Sequence, residues 1–217
     1  DEKINALNQY RSYTLAKEIR AAEAYFVASA TQLADAPLVL HKLEYQRQAE
    51  LRLALDVSDA PLVSVLIRSM GRTELTQALD SVALQTYPNI EAVVVNAHGR
   101  GHPGLGGSCG PFPLRFIDSD KPLRRSEAGN RALKAANGAY MVFLDDDDWL
   151  MPDHVSVLAQ TLMRDRDKKV AYGCVTCVDE FKNPIDKTYC RPFDRTRLLF
   201  GNFIPIHATL FSRAIVD

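Results

Sequence analysis

Four carboxylates in a row, Asp145-Asp146-Asp147-Asp148, follow directly on the apolar run Tyr140-Met141-Val142-Phe143-Leu144. Acidic groups bunched this closely repel one another, and the cluster is tolerable where water or a cation neutralises it. That makes the run a divalent-metal candidate. The alternative is a solvated acidic loop leading into a helix that starts at Pro152-Asp153. A second set of charges, the basic patch from Lys121 to Arg125, gives the cluster a complement. A divalent ion held by carboxylates, with Arg124 and Arg125 nearby, suits a diphosphate, so the substrate class suggested is a nucleotide diphosphate.

The elements that must position these groups are legible in the apolar pattern. Residues 140–144 predict a strand buried on both faces, and open α/β sheets place their ligands at the carboxyl ends of such strands. Leu62-Val63-Ser64-Val65-Leu66-Ile67 predicts another, followed by a polar turn, Arg68-Ser69-Met70-Gly71-Arg72. Thr73 caps a helix carrying Leu75, Leu79 and Val82, and Ile90-Glu91-Ala92-Val93-Val94-Val95 supplies the next strand. Strand, helix, strand in that order predicts a parallel, right-handed unit. Leu114-Arg115-Phe116-Ile117 reads as a short strand, and Ser126 as the cap of a helix ending at Asn137-Gly138. After a helix over 152–164, strands are expected at 170–178, 187–191 and 207–211, with turns at Lys182-Asn183-Pro184 and Gly201-Asn202.

Residues 1–57 differ from the rest, with one proline, no glycine and many alanines, leucines and charges. Ile4, Leu7, Leu15, Ile19, Ala22 and Phe26 trace an amphipathic helix, and Asp35 and Pro37 start a second. Together they predict a helical hairpin whose apolar stripe packs on the following domain, a second copy of the chain or a neighbouring module. The boundary falls at Ser58-Asp59-Ala60-Pro61, leaving 58–217 as one domain. Six of the eleven glycines lie between Gly99 and Gly110. That loop lacks the Gly-Lys-Ser/Thr ending of a P-loop and reads as a flap or a plain insertion.

A net charge of −1 gives no nucleic-acid footprint. No apolar run approaches the ~20 residues of a membrane span, and no signal segment opens the chain. The expectation is a cytoplasmic protein, free or peripheral to the inner face of a membrane. The first residue is Asp1, so a fragment of a larger protein is expected. Among four cysteines, the Cys174-x-x-Cys177 spacing resembles half a zinc site, but no second pair follows and buried or half-buried thiols are the default.

Across residues 61–165 the chain resembles the inverting family 2 glycosyltransferases of GT-A fold. Leu62 to Arg72 resembles the family's first strand and turn, V-S-V-I-I-P-T-Y-N-R. Ala78-Leu79-Asp80-Ser81-Val82 through Gln85-Thr86-Tyr87-Pro88-Asn89-Ile90-Glu91 is similar to its "al.Sv..Qty.niE" segment. Ala128-Gly129-Asn130-Arg131-Ala132 is similar to A-R-N-x-G, Asn137-Gly138-Ala139-Tyr140 to "a.GeY", and the four aspartates to its D-x-D region.

The resemblance implies a GT-A, Rossmann-like, mostly parallel sheet flanked by helices. It implies an enzyme of polysaccharide biosynthesis that passes a sugar, with inversion, from a nucleotide-diphosphate donor to the hydroxyl of an acceptor glycan or other molecule. It implies Mn²⁺ or Mg²⁺ on Asp147 and Asp145, Asp145 also near the ribose or uracil, Asp146 facing outward, and Asp148 supporting the ion or capping the next helix. Arg68, Ser69, Gly71, Arg72, Asn96, Arg124, Arg125, Asn130, Asp145 and Asp146 would line the donor, with a UDP-sugar favoured.

This chain departs from the pattern in three places. The acidic pair after the second strand is Asn96-Ala97, where Asn96 would meet the base edge. The arginine of A-R-N is Gly129, with Arg124 or Arg125 as the substitute. The acidic general base is expected beyond Asp217, which leaves His207 as the candidate within the chain. A non-catalytic nucleotide-sugar-binding or scaffold module on the same fold is the rival reading. A sugar-phosphate nucleotidyltransferase would need a glycine-rich basic loop straight after the first strand, and a calcium loop would need a ligand and a glycine where Trp149 and Leu150 stand.

Overall fold

A computed structural model describes residues 60–179 and 183–216; the helical hairpin expected over 1–57 and Lys182 of the expected turn lie outside them. Four strands run parallel at the centre: β1 (Val63–Ser69), β2 (Ile90–Asn96), β4 (Phe112–Ile117) and β5 (Tyr140–Asp145). With β3 (Ser108–Cys109), β6 (Val170–Tyr172) and β9 (Thr209–Ser212) they make a seven-stranded sheet in the order β3-β4-β2-β1-β5-β9-β6. The strands β3 and β9 pair antiparallel with β4 and β5. A separate hairpin joins β7 (Val175–Val178) and β8 (Pro184–Tyr189).

Each side of the sheet has its own core. On one, α1 (Leu75–Ala83) and α3 (His154–Arg164) set Leu75, Ala78, Val82, Val155, Leu158 and Leu162 against Val65, Ile67, Val94 and Leu144. On the other, α2 (Arg125–Ala135) lays Ala128 and Ala132 on Leu66, Val93, Met141 and Phe143. The register puts Ser69, Asn96 and Asp145 at one edge, since Arg68 pairs with Val95 and Asp145, and Ser69 with Asn96.

The motif after α1 is a fastener. Gln85 is fully buried; its amide donates to the Ser81 and Met151 carbonyls, and its Oε1 accepts from Val155 N at 3.0 Å. Tyr87 Oη donates to the Pro61 carbonyl and Asn89 Nδ2 to that of Ala60. The helix α3 therefore starts where a buried side chain just after α1 receives one of its first amide hydrogens, which a helix cannot satisfy internally.

Several expectations are corrected. Arg68 and Ser69 belong to β1, because pairing with β2 carries the ladder beyond the apolar run. The strand expected over 170–178 is two strands in different sheets. The helix α2 begins at Arg125, so Ser126 does not cap it; Glu127 Oε2 accepts from Arg124 N at 2.9 Å. Residues 206–208 form a 3₁₀ turn before β9. Cys174 is bonded to Cys190 across the β7–β8 hairpin, while Cys109 and Cys177 are free. No helix among the described residues is long and apolar enough to cross a membrane.

Candidate functional site

The carboxyl edge gathers the turn after β1, the acidic end of β5 and the start of α2. Asp145 sits between two guanidinium groups: Arg68 binds Oδ1, and Arg125 Nη2 donates to Oδ2 at 2.6 Å. Arg68 is nearly enclosed, its guanidinium 5.5 Å from the Phe143 ring centroid and its Nε buried without a hydrogen-bond partner among the described residues. Of the two arginines expected to replace the family's arginine, Arg125 reaches a carboxylate, and Arg124 spans the helix start, exposed. Gly129 is buried, and a Cβ there would meet the Phe143 ring at 3.7 Å.

Asp146 is turned inward, against the expectation that it faces out. It is 2% exposed, and its Oδ2 accepts from Met70 N at 2.6 Å and from Ser69 Oγ at 3.3 Å. The reason is that β5 stops at Asp145 and a turn follows, in which Asp148 N donates to the Asp145 carbonyl at 3.1 Å. Strand alternation no longer applies there. The carboxylate ties the residues after β1 in place, and Gly71 N donates to Ser69 Oγ at 3.0 Å.

Asp147 is half-exposed and paired with Arg72, whose guanidinium also lies 3.4 Å from Asp146 Oδ1. Asp147 first and Asp146 second hold the Arg72 pKa above its ordinary value. Asp148 neither caps α3 nor joins this group; its Oδ2 lies 3.1 Å from His207 Nδ1. Burial pushes the Asp148 carboxyl above the usual range, His207 opposes the rise, and the charges of Asp147 and Asp145 add to it. Behind the pair, burial takes His154 down to about 4, so it is neutral at pH 7; it also hydrogen-bonds the His207 backbone.

Asn96 is 1% exposed and its amide is engaged within the protein. Nδ2 donates to the Gly99 carbonyl at 2.9 Å, to Asp118 Oδ1 at 2.7 Å and to the Ser119 carbonyl at 3.3 Å, and Oδ1 accepts from Gly99 N at 2.8 Å. An amide so occupied is not offered to a base edge. Gly99 has φ +94°, and a Cβ there would stand 2.7 Å from Pro122 N, so the turn admits only glycine. The glycine-rich loop then folds back over β1: His102 Nε2 lies 2.8 Å from Ser69 Oγ, and its ring centroid is 5.1 Å from that of Phe116. Asn130 is exposed on α2, with no hydrogen bond to the carboxylates among the described residues.

Sequence reasoning passed over Asp118 and His102. Asp118 follows the strand β4 as Asp145 ends β5, and that position was the available signal. His102 carried none, because its place depends on how the loop closes. Among the described residues no group of three or more His, Cys, Asp or Glu side chains is arranged to hold a metal ion. Both Asp145 oxygens carry guanidinium groups, which leaves Asp147 as the accessible carboxylate of the proposed metal pair.

Comparison with known proteins agrees with the fold. The model of the family described as Glycosyl transferase family 2 matches residues 64–215. The chain is 34% identical over 97 residues to Glycosyltransferase GlyA of Streptococcus pneumoniae, covering 41% of this chain and 13% of GlyA. It is 28% identical over 172 residues to the uncharacterized protein y4gI of Sinorhizobium fredii, covering 74% of this chain and 18% of that protein. The chain thus spans less than half the length of these curated relatives. Among solved structures, the mannosyltransferase PcManGT from Pyrobaculum calidifontis, in complex with GDP-Man and Mn²⁺, aligns over 88% of this chain and 57% of its own. The TM-score is 0.51 at 18% identity, a likeness of fold: the mostly parallel GT-A sheet flanked by helices.

Proposed function

This chain belongs to glycosyl transferase family 2, and from that premise we propose that it binds a nucleotide-diphosphate sugar, a UDP-sugar by preference, at the carboxyl edge of its sheet. It passes the sugar to an acceptor hydroxyl with inversion. The observation that carries the reading is the meeting of strand-end carboxylates with arginines at one edge, Arg68 and Arg125 on Asp145 and Arg72 on Asp147. Guanidinium forks match phosphate oxygens. The Arg72 and Arg125 side chains are 47% and 72% exposed and can turn to a diphosphate. Arg68, at 10%, stays and fixes Asp145.

Mg²⁺ or Mn²⁺ takes one or two protein carboxylates and completes its shell with waters and substrate phosphates, so a single accessible carboxylate fits it. Asp147 would hold the ion, and Asp145, kept in place by Arg68, would face the ribose side of the donor. The ion would offset charge on the departing diphosphate, a Lewis-acid role. The bond between the sugar C1 and the diphosphate oxygen breaks as the acceptor oxygen bonds C1 from the opposite face. The hydroxyl proton passes to a general base, for which His207, its Nδ1 3.1 Å from Asp148 Oδ2, is the candidate within the chain. GDP-Man and Mn²⁺ on the mannosyltransferase neighbour support this ligand class.

Calorimetric titration of the chain with UDP and MnCl₂ tests the reading. Saturable binding is expected, weakened at least tenfold by Asp147→Ala or by omission of the metal. No binding to the native chain, or equal binding by the variant, overturns it.

A further inference from the structure

The strand β2 ends in Asn96-Ala97, so no carboxylate follows it. One stands at the next strand instead. Asn96 donates to Asp118 Oδ1 at 2.7 Å, and Ser119 N donates to the same oxygen at 2.8 Å. A buried amide thus orients an exposed carboxylate, and Asp118 Oδ2 is left without a hydrogen-bond partner among the described residues. Because β4 runs parallel to β2, Asp118 lies at the same edge of the sheet as Asp145. The order β4-β2-β1-β5 separates them by three strand spacings, about 14 Å, on the scale of a donor whose base lies at Asp118 and whose ribose and diphosphate lie toward Asp145 and Asp147.

Resting on the donor-binding reading, we propose that Asp118 reads the nucleobase and selects bases carrying an N–H at the centre of the Watson–Crick edge, uracil and guanine, over cytosine and adenine. An ionised carboxylate has no hydrogen to donate. The bond from Asn96 first, and that from Ser119 N second, hold the Asp118 carboxyl below its usual range, which keeps it an acceptor at neutral pH. Uracil N3–H and guanine N1–H meet Oδ2 as donors. At the same position cytosine N3 and adenine N1 present lone pairs, which an anionic oxygen repels. A site built to accept such a hydrogen rejects the base that lacks it.

Titration of the native chain with UDP, CDP, GDP and ADP, each with MnCl₂, is the test. UDP is expected to bind about tenfold or more tightly than CDP, and GDP than ADP, the scale of one hydrogen bond to a charged group. Asp118→Asn keeps an oxygen for Asn96 and Ser119 N and puts an NH₂ in place of Oδ2. That variant is expected to gain CDP affinity and lose UDP affinity until they differ by less than about threefold. Asp118→Ser is expected to lose the preference without gaining CDP, and an unchanged unfolding midpoint shows either variant to be folded. Equal binding of the four nucleotides by the native chain, or a preference that survives Asp118→Asn, overturns the assignment and leaves donor binding standing. Binding of none of the four removes the donor reading and this inference together.

Discussion

At the residue scale, the four aspartates divide by what surrounds them and not by their order. Asp146 is buried and accepts from the Met70 amide, whereas Asp147 is half-exposed and pairs with the exposed end of Arg72. Asp146→Ala leaves that amide without its acceptor and removes a carboxylate between two strands, which should cost about 1–3 kcal/mol. Asp147→Ala removes one exposed ion pair and should change stability by less than about 1 kcal/mol. Thermal unfolding of the two variants checks this, and equal midpoints would contradict the division. The sequence made the cluster legible as a site because the four carboxylates follow directly on a buried strand, at the edge where open α/β sheets place their ligands. The resemblance put Asp146 outward as the middle residue of a D-x-D triplet, whereas β5 ends at Asp145 and the turn that follows carries Asp146 inward to the Met70 amide. The anchoring of Asp118 by Asn96 was out of reach, since it depends on two parallel strands ending level.

At the element scale, the amino edge of the sheet is held by a polar lock that the sequence shows only as separate short motifs. Glu91 on β2 accepts from Ser64 Oγ on β1 at 2.6 Å, and from Asn137 N at 2.6 Å and Nδ2 at 3.1 Å in the turn after α2. Gly138 N donates to Ser64 Oγ at 2.8 Å, and a Cβ on Gly138 would stand 2.6 Å from Ser64 N. The similarity of "niE" and "a.GeY" to a family pattern thus has a physical cause: the glycine lets the turn approach β1 closely enough to share one carboxylate. Burial alone would raise the Glu91 pKa, but the Ser64 and Asn137 bonds, helped by Arg115, outweigh it and leave it lowered. A group with a depressed folded pKa contributes stability that is present above its unfolded value and lost as pH falls through the folded one. Stability of the native chain should therefore decline below about pH 4.5. Glu91→Gln should lose stability at pH 7 and show a shallower decline, as chemical denaturation at pH 7, 5 and 3.5 would reveal; parallel pH profiles would count against the lock.

At the scale of the whole molecule, stability is concentrated at the centre of the sheet and thins toward one end. All seven residues of β2 are buried and six of seven in β1, with an apolar core on each side. The β7–β8 hairpin has no buried residue and pairs with no other strand among the described residues. The apolar runs announced β1, β2 and β5 because strands buried on both faces must be continuous in hydrophobicity. They did not announce that β9 enters between β5 and β6 in the opposite direction, or that 170–178 splits between two sheets. Pairing of that kind is decided by distant partners and leaves no local period. Opening the centre exposes both cores at once, so its amides should exchange only through global unfolding, while a two-stranded sheet on its own is marginal in water. Native-state hydrogen exchange, with the Cys174–Cys190 bond intact, should find Val65, Leu66, Val93 and Val94 among the slowest amides. Those of Thr176 and Thr188 should exchange orders of magnitude faster. Equal protection in the hairpin and the centre would mean that the hairpin opens only with the whole molecule, contrary to the division of its contacts.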